Sequence, residues 1–207
     1  MLFNLFKKSE KNKKSDNWIF GTMLGFGILG LIASFTLAVE EFHLLKNPDT
    51  ILSCSFNLVL NCATVMKTWQ ASVFGFPNMF IGLIGFPIVI MIALLGLSKV
   101  TFPRWFLIGA EIGFVFWTLF AYWLFFNSLY VIQVLCPWCL LVTFSMTMLA
   151  ATITRYNIKH NTFGFSKNLY KKVEQFINND YDKLVVAAWI VFLIALVVAK
   201  FGDALFA

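Results

Sequence analysis

The 207 residues carry 16 lysines and arginines against 10 aspartates and glutamates, a net charge of +6, and are 60% hydrophobic but only 13% charged. A soluble globular protein is nearer half apolar and about a quarter charged, so an ordinary soluble domain is excluded and an all-α integral membrane protein is expected. The basic excess does not point to nucleic acid: the sequence has no glycine-rich phosphate loop, no zinc-finger spacing with histidines and no low-complexity tract.

Five apolar runs approach or exceed the ~20 residues that a bilayer requires of a helix. They are 18–39, 74–97, 105–126, 134–153 and 184–199. Lys7, Lys8, Lys11, Lys13 and Lys14 precede the first run. That run exceeds the ~7–15 residues of a signal-peptide core, so it is read as an uncleaved helix behind a cytoplasmic tail, 1–17. A long loop, about 40–73, follows. The last run is the shortest, and Lys200 can snorkel outward to let its helix continue. Between the fourth and fifth runs lies a polar linker, 154–183, in which SKNLYKKVEQFINN reads as a short surface helix with no assigned chemistry. The fifth helix and its end occupy 184–207.

Orientation follows from the basic residues. With the N-terminus in the cytoplasm, the five early lysines, Lys99 and Arg104, and Arg155, Lys159, Lys167, Lys171, Lys172 and Lys183 all lie inside. Thirteen of the 16 basic residues then face anionic cytoplasmic headgroups, only Lys46 and Lys67 occupy the outer loop, and the C-terminus is external.

This topology places all four cysteines outside, where thiols pair by default. Cys54 and Cys62 lie in the long loop, and Cys136 and Cys139 begin the fourth helix. Two structural disulfides are one reading, and it suits Cys54 and Cys62. It suits the C-x-x-C pair poorly, since a bridge between residues three apart removes little chain entropy. At a helix start, free N–H groups and the positive dipole end acidify a thiol, and Pro137 is compatible with a first turn. A redox pair follows. A metal site is disfavoured by the oxidising side and by the wide Cys54–Cys62 spacing, so no metal ligands are assigned. Glu111, inside the third helix but near its cytoplasmic end, is read as a snorkelling or bundle-contact residue.

Two pairs on one face suggest a relay, with the loop pair meeting a protein and the helix pair meeting a lipophilic acceptor. CSFNLVLNC (54–62), FGFPNMFIGLIGF (74–86) and CPWCLLVTF (136–144), in that order, resemble the bacterial form of the vitamin K epoxide reductase family. The resemblance covers about 18–153. It implies a four-helix transmembrane bundle around a quinone, ubiquinone or menaquinone, with a fifth helix peripheral to it. It further implies a membrane oxidoreductase, a quinone-dependent thiol oxidase that makes disulfides for exported proteins in a bacterial cytoplasmic (inner) membrane. Electrons would pass from a soluble DsbA-like thioredoxin-fold protein to Cys54 and Cys62, then to Cys136 and Cys139, with Cys139 nearest the quinone. Asn78 matches an asparagine that hydrogen-bonds a quinone carbonyl, although its position equally suits a helix cap. Thr68 occupies a place where the family usually has serine. Thr143 stands where animal members carry a tyrosine, so epoxide reduction is not carried over. Many bacterial relatives have a thioredoxin-like domain after the fifth helix. With the chain ending at Ala207, the donor is expected to be separate. The competing reading is a membrane metal-ion transport protein that uses the C-x-x-C thiols as soft ligands. With four cysteines, three disulfide pairings stay open.

Overall fold

The structure is a computed structural model describing residues 2–48, 50, 52–55 and 59–206, with side chains of 2–14 and 203–206 left out of the description. The five early lysines and part of the outer loop (49, 51 and 56–58) therefore lie outside the described side chains. Among the described residues seven α-helices run in chain order: α1 Leu2–Lys46, α2 Cys62–Met66, α3 Met79–Leu97, α4 Arg104–Asn127, α5 Pro137–Lys159, α6 Lys167–Asn178 and α7 Tyr181–Phe206. A 3₁₀ turn, Trp69–Ser72, follows α2, and a π turn, Ser128–Ile132, extends α4. Among the described residues there is no strand, only one isolated bridge between Leu60 and Leu135.

Five helices are long and apolar enough to cross a membrane: Ser15–Lys46, Met79–Leu97, Arg104–Ile132, Pro137–Lys159 and Tyr181–Gly202. In hydrocarbon a helix satisfies its own backbone, which is why these runs become helices and not strands. Their ends differ from the apolar runs for local reasons. α1 continues past Val39 to Lys46 because no breaker interrupts it before Pro48. α3 begins at Met79 and not near Phe74, because Gly75 takes a left-handed φ of 81° and Pro77 precedes the helix. The linker helix expected in 167–178 is present as α6.

α3 and α5 both pack on α1, and α4 packs on α5, closing a four-helix bundle in which α3 and α4 hardly touch each other. Small residues permit the α1–α3 approach. A Cβ placed on Gly82 would fall on the buried Ser34 side chain, and one on Gly30 would fall on the Phe86 ring. The bundle core is formed by residues such as Phe20, Met23, Phe86, Phe114, Leu149 and Ile153. Glu111 is a bundle contact. Its carboxylate accepts from Thr154 Oγ1 at 2.5 Å and from Asn157 Nδ2 at 2.8 Å, joining α4 to α5.

α7 stands outside the bundle. At the end opposite the cysteines, Arg155 of α5 bonds Asp182 at 2.6 Å and Asp180 at 2.8 Å. Mid-membrane, Trp189 Nε1 donates to Tyr122 Oη at 2.9 Å, and that hydroxyl lies 2.8 Å from Thr147 Oγ1.

The close α1–α3 contact gives a test. Gly82→Val should destabilise the folded protein by about 1–3 kcal/mol through overpacking against Ser34. Gly109→Ala, on a face with open space around the new methyl, should not. Thermal unfolding of both variants in detergent reads the difference.

Candidate active site

Cys136 takes the N-cap position of α5 in extended backbone, and Pro137 supplies the first helical residue. Proline suits that place because its φ is already helical and no donor is needed. The Cys139 N–H, one of the helix's free donors, reaches back to Cys136 Sγ at 3.3 Å. Both cysteines are free thiols, Cys136 buried and Cys139 partly so. Cys62 is the first residue of α2. Asn61 caps that helix, its Oδ1 accepting from the Thr64 N–H at 3.1 Å and from Ser55 Oγ at 3.1 Å. Cys54 and Cys62 form a disulfide across a Cα–Cα distance of 5.7 Å. Of the pairings left open by the sequence, this is the one present.

The two pairs meet through main chain. Leu135 N–H donates to Val59 O at 2.7 Å, and Asn61 N–H donates to Leu135 O at 3.0 Å. These bonds bracket Leu60 and set it beside Leu135 as a single bridge, so Cys62, two residues on, and Cys136, one residue on, come close together. Cys136 Sγ lies 3.4 Å from Cys62 Sγ. The loop is also anchored to α1, where the buried Glu40 carboxylate accepts from the Ser53 hydroxyl and, at 3.3 Å, from the Ser53 N–H. Ser53 precedes Cys54, so Glu40 fixes one arm of the disulfide. Cys54, Cys62 and Cys136 are each at most 2% exposed.

Below the cysteines lies a cavity of about 360 Å³, lined by α1, α3, α4 and α5 and walled chiefly by apolar side chains. That size is within the usual range for small-molecule sites. Its polar lining gathers near the cysteines: Thr68, Gln70, Asn78, Ser128 and Thr143, with Cys136 and Cys139. Asn78 is not a helix cap. It occupies the cap position without a side-chain cap bond, and its Nδ2 donates instead to Gln70 O at 2.7 Å. Its Oδ1 is buried without a partner. Thr68 Oγ1 donates to Val65 O at 2.7 Å, and Thr143 Oγ1 donates to Cys139 O at 2.9 Å. Phe86, Phe114, Trp117 and Phe120 supply flat apolar walls. This lining fits a flat ring with a few polar edges and an apolar tail, the chemistry of a quinone. Among the described residues, no group of three or more His, Cys, Asp or Glu could hold a metal ion.

The model of the vitamin K epoxide reductase family matches residues 22–154. The chain belongs to that family. A search of the curated proteins finds no match. Membership makes the protein a multi-pass membrane oxidoreductase, disulfide-generating and quinone-linked in general, with a thioredoxin-like redox partner implied. The matched stretch contains all four cysteines and Asn78, and it leaves α6 and α7 outside.

Several residues of this site were silent in the sequence. Gln70 carries no motif. Glu40 stands in a Glu-Glu pair at the end of an apolar run, a signal without a partner until Ser53 is folded onto it. Leu135 is one leucine among many, and its main-chain bonds to residues 59 and 61 have no sequence signal.

Cys136, which precedes the span of α5, is held below the ordinary thiol value. A hydrogen bond from the Cys139 thiol is the largest cause, and the N–H groups of Cys139 and Trp138 add to it against the opposing effect of burial. In a Cys139→Ser chain with the loop disulfide intact, Cys136 is the only free thiol and should react with a midpoint below the ordinary ~8.5. Cys139→Ala removes the side-chain donor and should move that midpoint up. The pH profile of methyl methanethiosulfonate reaction measures both; equal midpoints would remove the Cys139 side chain as the cause.

Proposed function

We propose that this protein is a quinone-dependent thiol oxidase of a bacterial cytoplasmic membrane, supplying disulfides to exported proteins through a soluble thioredoxin-fold donor. The observation that carries the reading is the 3.4 Å contact between Cys136 Sγ and Cys62 Sγ, with Cys139 of the same pair lining the apolar cavity.

The path is one of thiol–disulfide exchange, in which a thiolate attacks a sulfur in line and displaces its partner. Cys62 faces Cys136, which leaves Cys54 for the donor. A donor thiolate attacks Cys54, forming a mixed disulfide and releasing Cys62 as thiolate. Cys62 attacks Cys136 of an oxidised Cys136–Cys139 pair and releases Cys139. The donor's second thiol frees Cys54, which attacks Cys62, re-forming the loop disulfide and releasing Cys136. Two electrons have then moved from donor to the Cys136–Cys139 pair. Loop disulfide with a reduced C-x-x-C pair, the arrangement seen here, is the state that this last exchange leaves. Cys54 is 2% exposed, so the loop has to open for the donor.

When bound, a quinone supplies a two-electron, two-proton acceptor. Cys139 lies where it can pass the pair on, Asn78 and Gln70 orient a ring edge, and the aromatic walls exclude water. The seam between α3 and α4 gives an apolar tail a way out to lipid.

Orientation rests on the basic residues, with the cysteine end external. In a chain with its four cysteines replaced, Lys46→Cys should react with a membrane-impermeant maleimide in intact cells, and Lys171→Cys should react only after lysis. The reverse pattern would overturn the external placement.

The division of labour is the main test. Cys54→Ala/Cys62→Ala should keep quinone reduction with dithiothreitol, which is small enough to reach Cys136–Cys139, and lose it with a thioredoxin-fold donor. Cys139→Ala should lose both. Quinol formation with the two donors decides it. Equal losses with both donors in the loop variant would make the loop pair structural, and retained reduction in Cys139→Ala would end the mechanism.

A further inference from the structure

The outer end of α7 lies beyond the stretch matched by the family model, and no step above uses it. α7 turns one face outward, with Val191 64% exposed, Ile194 56% and Val198 44%, and packs the other, with Leu193, Leu196 and Val197, partly buried against the bundle. Phe201 ends that inner row and is its most buried member. Phe201 is 7% exposed and belongs to one apolar cluster with Leu129 and Leu135, both fully buried, against which Val59 and Leu60 pack. Those residues are the two sides of the bridge that puts Cys62 beside Cys136.

We propose that Phe201 is a positioning residue for the exchange between the two cysteine pairs. It supports the face of the bridge that carries Leu60 and Leu135, and through that bridge it holds Cys62 Sγ on Cys136 Sγ. The inference rests on the electron path proposed above. The physical need is plain: two strands paired alone are marginal and require an apolar face to pack against something. Here the pairing is shorter still, two hydrogen bonds around Leu60, and exchange between the pairs needs sulfur–sulfur contact. A bridge free to part would leave both pairs chemically intact and unable to pass electrons. α7 thereby acquires a role at the redox end that the bundle alone does not fill.

The test isolates the contact from overall turnover. In the full chain in membranes, Cys54→Ala/Cys139→Ala leaves Cys62 and Cys136 as the only cysteines, facing each other. Diamide takes up their two hydrogens and leaves a Cys62–Cys136 disulfide, read by peptide mapping. Adding Phe201→Ala should slow that closure by about ten- to a hundredfold, the range that displacing a reacting group by an ångström can produce. Phe201→Leu should restore most of the rate, and Val198→Ala should match the parent. In chains with all four cysteines, Phe201→Ala should lower turnover with a thioredoxin-fold donor by a similar factor and leave dithiothreitol-driven quinone reduction near the wild-type rate. Equal closure rates with and without Phe201 would overturn the proposal. So would loss of dithiothreitol-driven reduction along with the rest, which would assign Phe201 to folding. Failure of the parent itself to close would instead overturn the Cys62-to-Cys136 path.

Discussion

Everything at the redox end depends on a pair of main-chain hydrogen bonds, from Leu135 to Val59 and from Asn61 to Leu135. Thiol–disulfide exchange has no reach of its own: the attacking sulfur must touch the sulfur it attacks. Cys62 and Cys136 are 74 residues apart in the chain, and the bridge pins the chain two residues before Cys62 and one before Cys136. Side-chain packing alone could not do this as well, because a loop that slid by one residue would turn Cys62 to the opposite side.

The surroundings divide the work. Around the sulfurs is a dry cluster of Leu37, Leu44, Leu52, Val65 and Met66, which removes water from the exchange. Below it lies the cavity, lined by α1, α3, α4 and α5, and α1 packs closely on α3 through Gly30, Ser34 and Gly82. Polar groups in the membrane are spent sparingly. The Glu111–Thr154–Asn157 group ties α4 to α5, and Trp189–Tyr122–Thr147 ties α7 to both. Such buried polar groups are costly unless bonded, so each also specifies which helices meet.

At the far end, charge does what hydrocarbon cannot. Lys159 and His160 both reach Asp16 of α1, and Arg155 gathers Asp180 and Asp182 at the α6–α7 turn. Asp180, exposed at the helix turn, is held below the usual carboxylate range first by Lys183 and then by Arg155. These contacts pin the helices at the end remote from the cysteines.

The sequence by itself determined the spanning helices, the gathering of the four cysteines at one end of them and the start of α5 at Pro137. It did so because those features follow from local chemistry: run length, charge and the conformational limits of proline. The linker helix was legible for the same reason. The family was legible too, since it resides in spacing that survives without coordinates. What tertiary structure alone decided is which sulfurs meet. Three pairings are compatible with four cysteines, and only the bridge at Leu60 and Leu135 puts Cys62, and not Cys54, against Cys136. Asn78 suits a cap or a quinone contact equally by its sequence position; folding shows that its side chain makes no cap bond, donates to Gln70 O eight residues back and lines the cavity. Glu40, Gln70 and Phe201 carried no signal of their own, because a carboxylate, an amide or a ring acquires its role from the neighbour that folding brings to it.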